Sequence, residues 1–143
     1  LFSRDDPSLN STQSPPPPIS GPSQKDWELM IGAMEEVVHR GDRGIGGNGT
    51  AWSYIGRDIA YRMAGKSGTA QVVGINQDAQ YNEAELNEYE RKHAWFIAFA
   101  PSDEPVIAIA VLVENGGGGS SVAAPIAREI LDAYLLPKIA SNR

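Results

Sequence analysis

Two apolar runs, "AWFIAFA" (Ala94–Ala100) and "VIAIAVLV" (Val106–Val113), flank the pentapeptide "PSDEP", and no other feature of the 143-residue chain constrains its fold as tightly. Each run is short and rich in β-branched or aromatic residues, the pattern of a β-strand. "PSDEP" reads as a tight turn, so the two strands are expected to lie adjacent and antiparallel. A third strand-like stretch runs from Asp58 to Val73, where Ile59, Tyr61 and Met63 alternate.

Helical signals bracket these strands. Ser23 followed three residues later by Asp26 resembles a capping arrangement, in which the serine oxygen accepts an orphan N–H and the acid sits near the positive end of the helix dipole. Trp27, Met30, Ile31, Met34 and Val38 then form one apolar stripe at helical spacing, expected to pack into a core, and Gly41 is a plausible stop. After "ENGGGGSS", Ser120 or Ser121 can cap a final helix with Pro125 in its first turn. Ile126, Ile130, Ala133, Tyr134 and Leu135 mark the face expected on the sheet, and Pro137 is expected to end the helix. Gly116 to Gly119 let the backbone reverse from strand to helix. The fold class is α+β, an antiparallel sheet packed by helices, with a proline-rich loop over residues 1–23 and the folded segment over 24–143.

Charge and composition narrow the partners. Twelve basic against eighteen acidic residues give a net charge of -6, which argues against a nucleic-acid groove or an anionic membrane surface. With no cysteine, neither a disulfide framework nor a thiolate metal site can be built. His39 and His93 lie far apart and neither has a second ligand at metal spacing, so no metal and no cofactor is expected. No run approaches the roughly 18 apolar residues of a membrane span, and the start at Leu1-Phe2-Ser3 suggests a fragment whose anchor or targeting signal lies upstream.

Two glycine-rich stretches invite a nucleotide reading and fail it. "GDRGIGGNGTAW" contains Gly44, Gly46 and Gly49 as a formal G-x-G-x-x-G, yet the glycines follow a helix instead of leading into one. "GKS" at Gly65–Ser67 ends like a phosphate-binding loop, but Ala60 stands where the first glycine is required, and "GTAQVVG" beyond it is β-prone. A helix beginning at Ser67 would revive that reading. The polar stretch Asn76 to Lys92 reads as a long excursion between strands, of the kind that often borders a site.

Why a strand should carry Lys-Ser-Gly-Thr at its middle is the functional question. Successive side chains on a strand point to opposite faces, so Ser67 and Thr69 emerge together and Lys66 and Gly68 on the other side. If that strand lies at a sheet edge, its unpaired amides and carbonyls can accept an extended peptide as an added strand, and Gly68 removes a side chain that would obstruct it. Lys66 supplies positive potential and Ser67 and Thr69 supply hydrogen bonds, together suited to a carboxylate. The Thr69 N–H could also point at a developing oxyanion.

"KSGTAQV" matches the Lys-Ser-Gly-Thr form of the third motif of penicillin-binding proteins and serine β-lactamases. "HAWFIAFAP", "VIAIAVLVENGGGG" and "APIAREILDAYLLPK" likewise resemble the C-terminal part of class B penicillin-binding protein transpeptidase domains, in order and spacing over roughly residues 25–138. The resemblance implies an active-site serine acyltransferase that cross-links peptidoglycan stem peptides at the periplasmic face of the bacterial inner membrane, within a membrane-anchored parent in a cell-wall synthesis complex, and that β-lactams acylate. It implies that Lys66 serves electrostatics and substrate binding, that Ser67 and Thr69 engage the carboxylate, and that the Thr69 amide forms half the oxyanion hole. The departure from the family is large: the residues three before Lys25, Lys66, Lys92 and Lys138 are Pro22, Met63, Tyr89 and Leu135, so there is no Ser-x-x-Lys nucleophile. "SLN" at Ser8–Asn10 spells a loose S-x-N in a proline-rich loop and reads as chance. The first expected partner is therefore the remainder of the same domain; a non-catalytic β-lactam sensor on the same fold is the alternative.

Overall fold

The computed structural model describes residues 17, 20–42, 47–71, 89 and 91–141. The proline-rich segment up to residue 16, "SLN", Gly44 and Gly46, and nearly all of the 76–92 excursion lie outside the described residues.

Helix α1 spans Gln24–His39 and begins at the capping box expected of it. The Ser23 N–H donates to Asp26 Oδ2 (2.8 Å) while the Asp26 N–H donates back to Ser23 Oγ (3.3 Å). Hydrogen bonding to Ser23 holds the Asp26 carboxyl below its usual range. The apolar stripe is buried only at its end: Val38 is fully buried, Ile31 and Met34 are half-buried, and Trp27 and Met30 are exposed. Beyond Arg40 the chain folds back over the helix terminus. Gly49 and Ala51 donate their amides to Arg40 O (2.7 Å) and Val37 O (2.9 Å). A Cβ on Gly49 would fall 2.0 Å from Glu36 O, so this glycine serves close packing on carbonyls at the negative end of a helix, the opposite polarity to a phosphate site. A short π-helical turn at Trp52–Gly56 follows.

Three antiparallel strands, β1 (Ala64–Ala70), β2 (His93–Ala100) and β3 (Ile107–Val113), form one sheet in the order β1-β2-β3. The β2–β3 hairpin is the one anticipated: Ala100 pairs with Ile107 across the 101–106 connection, where Val106 N donates to Ala100 O (3.1 Å). β1 is shorter than the Asp58–Val73 pattern suggested. Tyr61 and Met63 do point inward, but the backbone there bonds elsewhere, with Ser102 N donating to Arg62 O (3.0 Å) and Met63 N to the His39 ring. The alternation reports burial, and the ladder begins only at Ala64. Gln71 lies outside the strand, and residues 72–73 lie outside the described residues.

Helix α2 (Ala124–Ser141) follows a second π-helical turn at Gly119–Ala123. The serine cap expected at its start is absent as such: that turn has no side-chain cap, and Ser121 Oγ instead donates to Gly118 O (3.3 Å). The face on the sheet is also different. Ala124, Ala127, Leu131 and Leu135 are buried, whereas Ile126, Ile130 and Tyr134 are 40%, 46% and 40% exposed and Ala133 is exposed as well. A helix apolar on most sides leaves its orientation to fit, and here small alanines meet Ala94, Phe96 and Ala98 in one core. Nor does Pro137 end the helix, which continues to Ser141. The missing N–H frees one carbonyl, that of the exposed Ala133, which solvent can satisfy.

Arg128 of α2 fastens the helix to the segment before β1. Its guanidinium pairs with Asp132 (2.7 Å) and donates to the carbonyls of Ile55 (2.7 Å) and Asp58 (3.2 Å), while Tyr61 Oη donates to Asp132 Oδ1 (2.7 Å). Burial and the adjoining Asp132 carboxylate push the Tyr61 hydroxyl well above its usual range.

Candidate active site

Lys66, Ser67, Gly68 and Thr69 all lie in β1, and β1 is an edge strand among the described residues. A strand with one neighbour turns alternate backbone amides and carbonyls away from it, and among the described residues no second strand pairs with this edge. No helix begins at Ser67, which removes the phosphate-loop reading. Register divides the side chains as the alternation requires. Ser67 and Thr69 stand opposite Phe96 and Ala94, on the face that α2 covers, while Lys66 and Gly68 stand opposite Ile97 and Trp95 on the other. Lys66 and Thr69 are exposed and Ser67 is half-buried. Lys66 Nζ donates to Ser67 O at 2.6 Å, which places the ammonium beside the strand's own backbone.

The two glycines answer to packing. A Cβ on Gly65 would lie 2.7 Å from Cζ of the fully buried Phe96, so Gly65 makes room for that ring. A Cβ on Gly68 would meet the Trp95 Cβ at 3.3 Å, across the ladder. Its small size therefore also accommodates Trp95.

The base of the strand is held by a polar cluster that carried no local signal. Glu35 of α1 accepts from Arg62 Nε (3.2 Å) and from Arg62 Nη2 (2.5 Å), and it also accepts the hydroxyl of buried Ser102 from the β2–β3 connection. The Arg62 hydrogen bonds hold the Glu35 carboxyl below its usual range against the opposing effect of burial. One turn on, His39 Nε2 accepts the Met63 N–H at 2.9 Å, three residues before Lys66. Burial lowers the His39 pKa, and the Arg62 charge lowers it further. A neutral ring is also what the geometry demands, since Nε2 needs its lone pair to accept. His93 also accepts a backbone amide, the Asn115 N–H donating to its Nδ1 at 2.9 Å. Both histidines therefore serve the backbone, and among the described residues no cluster of His, Asp and Glu could hold a metal. No helix among them is long and apolar enough to cross a membrane.

An edge strand bearing Lys-Ser-Gly-Thr, paired to a β2–β3 hairpin and backed by a terminal helix, defines a class. The family described as "Penicillin binding protein transpeptidase domain" matches residues 4–132, and the chain belongs to it. Its sequence is 43% identical over 126 residues to the peptidoglycan D,D-transpeptidase MrdA of Haemophilus influenzae, covering 86% of this chain and 18% of that protein. It is 44% identical over 117 residues to MrdA of Acinetobacter baumannii, covering 81% of this chain and 16% of that one. Among solved structures, PBP2 of Pseudomonas aeruginosa in complex with WCK 5153 superposes with a TM-score of 0.63 at 41% identity, over 84% of this chain and 22% of that one. PBP2 of Helicobacter pylori, solved with MreC, gives 0.53 at 31% identity over 77% of this chain and 17% of that one. The chain thus spans about a fifth of the length of the relatives it matches, and its α+β fold is part of the transpeptidase fold.

Proposed function

We propose that this chain supplies the substrate-binding edge of a peptidoglycan D,D-transpeptidase, an active-site serine acyltransferase whose nucleophile lies outside these 143 residues. The observation that carries the reading is the accessible edge of β1 with Lys66, Ser67 and Thr69 on it, in a chain of this family. A stem peptide lies along the edge as an added strand. Lys66 raises the local positive potential, and the hydroxyls of Ser67 and Thr69 hold the terminal carboxylate. The Thr69 amide contributes half of an oxyanion hole, a donor whose removal in acyl transfer costs about 3 kcal/mol. β-Lactams enter the same way, presenting a carboxylate and a reactive carbonyl.

The rest of the domain is the first partner. Trp95, Ile97 and Leu112 alternate along the face of the sheet away from α2 and are 39%, 47% and 45% exposed, and Ile126, Ile130 and Tyr134 form a second bare stripe. Surfaces this apolar call for cover. The parent works at the periplasmic face of the inner membrane in a cell-wall synthesis complex, a reading supported by the H. pylori relative, which was solved with MreC.

The test uses protein carrying the complete domain. A labelled penicillin should acylate it, and a stem pentapeptide should release D-alanine. Acylation without release would favour the sensor reading, and absence of both would end the transpeptidase reading.

A further inference from the structure

The loop that leaves β3 returns to the candidate site from behind. Gly119, at the start of the turn that enters α2, is buried, and a Cβ on it would lie 2.4 Å from Gly68 O, 2.4 Å from Trp95 O and 3.0 Å from Gly68 N. Gly68 and Trp95 are cross-strand partners, so the contact bears on β1 and β2 at once. We infer that Gly119 is a positioning residue for the Lys-Ser-Gly-Thr strand: its bare Cα seats the loop directly on the Gly68 backbone and so sets where the flanking Ser67 and Thr69 stand. The inference rests on the transpeptidase reading above.

Backbone conformation does not explain this glycine. Gly117 has a left-handed φ of 78°, but Gly119 is not among the positive-φ residues, so the requirement is for room alone. Nor can the neighbours yield cheaply, because they are main-chain atoms within a sheet. The adjacent Gly118 makes the contrast: a Cβ there would meet Ser121 Oγ at 2.5 Å, a hydroxyl that can rotate away.

The loop is tied down on both sides of the contact. Asn115 N donates to His93 Nδ1 (2.9 Å), Gly117 N to Lys92 O (2.8 Å) and Val122 N to Gly118 O (3.0 Å), and buried Ala123 and Ala124 lead straight into α2. With the loop tethered and β1 at an open edge, a methyl group at position 119 displaces the strand instead of the loop. The displacement falls between the two hydroxyls proposed to hold the carboxylate and beside the amide proposed to meet the oxyanion. Misplacement of about 1 Å at such a centre costs rate on the order of a hundredfold.

The experiment measures acylation of the complete-domain protein by a labelled penicillin across a concentration series, separating non-covalent binding from the bond-forming rate. Compared at a temperature where both proteins are fully folded, Gly119→Ala should slow the bond-forming step by on the order of tenfold or more, while Gly118→Ala stays within about twofold. Equal rates for Gly119→Ala and the parent would overturn the inference. Should Gly119→Ala not fold, hydrogen exchange of the parent decides: acylation should slow exchange at the Gly117 and Val122 amides, and unchanged exchange there overturns the inference. A parent that is not acylated at all overturns the transpeptidase reading itself, which separates the two failures.

Discussion

The two halves of β1 have opposite surroundings. Ala64 and Gly65 are buried, and just before them Met63 is pinned by His39 and Arg62 by Glu35. From Lys66 to Thr69 the same strand lies exposed or half-buried at an open edge. The difference teaches where precision comes from: polar groups at the tip keep a defined position because the base is over-determined by packing and long-range hydrogen bonds. Damage to the base should therefore register as lost stability, and damage to the tip as lost chemistry.

The largest effect is expected at Phe96, fully buried and opposite Ser67 in the ladder. Phe96→Ala should destabilise the protein by about 3–5 kcal/mol, read as a lower midpoint of chemical unfolding. Gly65→Ala comes next, at about 1–3 kcal/mol, because its methyl group would press on the same ring. The two should not add: with Phe96 replaced by Leu, Gly65→Ala should cost less than it does in the parent, and strict additivity would show that the ring is not what excludes a side chain at position 65.

What the sequence disclosed and what it withheld follow the same division. The hairpin was legible because "PSDEP" and the runs beside it are local signals, and the start of α1 because Ser23 and Asp26 meet within one turn. Membership of the family was legible in Lys-Ser-Gly-Thr because four consecutive residues make a signature that needs no distant partner. The face of α2 was not, since Ile126 and Ile130 look as core-like as Leu131 and only the small size of Ala124 and Ala127 decides which side approaches the sheet. His39, Glu35 and Ser102 gave no sign at all, because their partners lie 24, 27 and 67 residues away.

Acid should attack the base of the strand in two stages. The His39 pKa is lowered from 6.5, so the folded protein holds the ring neutral while the unfolded chain binds a proton more readily; stability present above 6.5 is lost as pH falls below it. The Glu35 pKa is lowered from 4.5, so its contribution persists above 4.5 and disappears as pH drops through the folded value. His39→Gln, which can still accept the Met63 N–H but does not titrate, should flatten the first stage and leave the second. An unchanged profile between pH 7 and 5 would remove His39 from the anchor.

Lys66→Ala should have the smallest effect on folding and the most selective effect on function. The side chain is exposed and its hydrogen bond runs to a carbonyl of its own strand, so stability should change by no more than about 0.5 kcal/mol. On the proposed role of Lys66 in the local positive potential, its loss in the complete-domain protein should slow acylation by a penicillin by roughly tenfold, about 1.4 kcal/mol. Lys66→Arg keeps the charge but not the compact ammonium, and should fall between the two. If Lys66→Ala instead lowered the unfolding midpoint and left acylation intact, the tip of β1 would belong with its base as structure, and the division of the strand into anchor and instrument would fail.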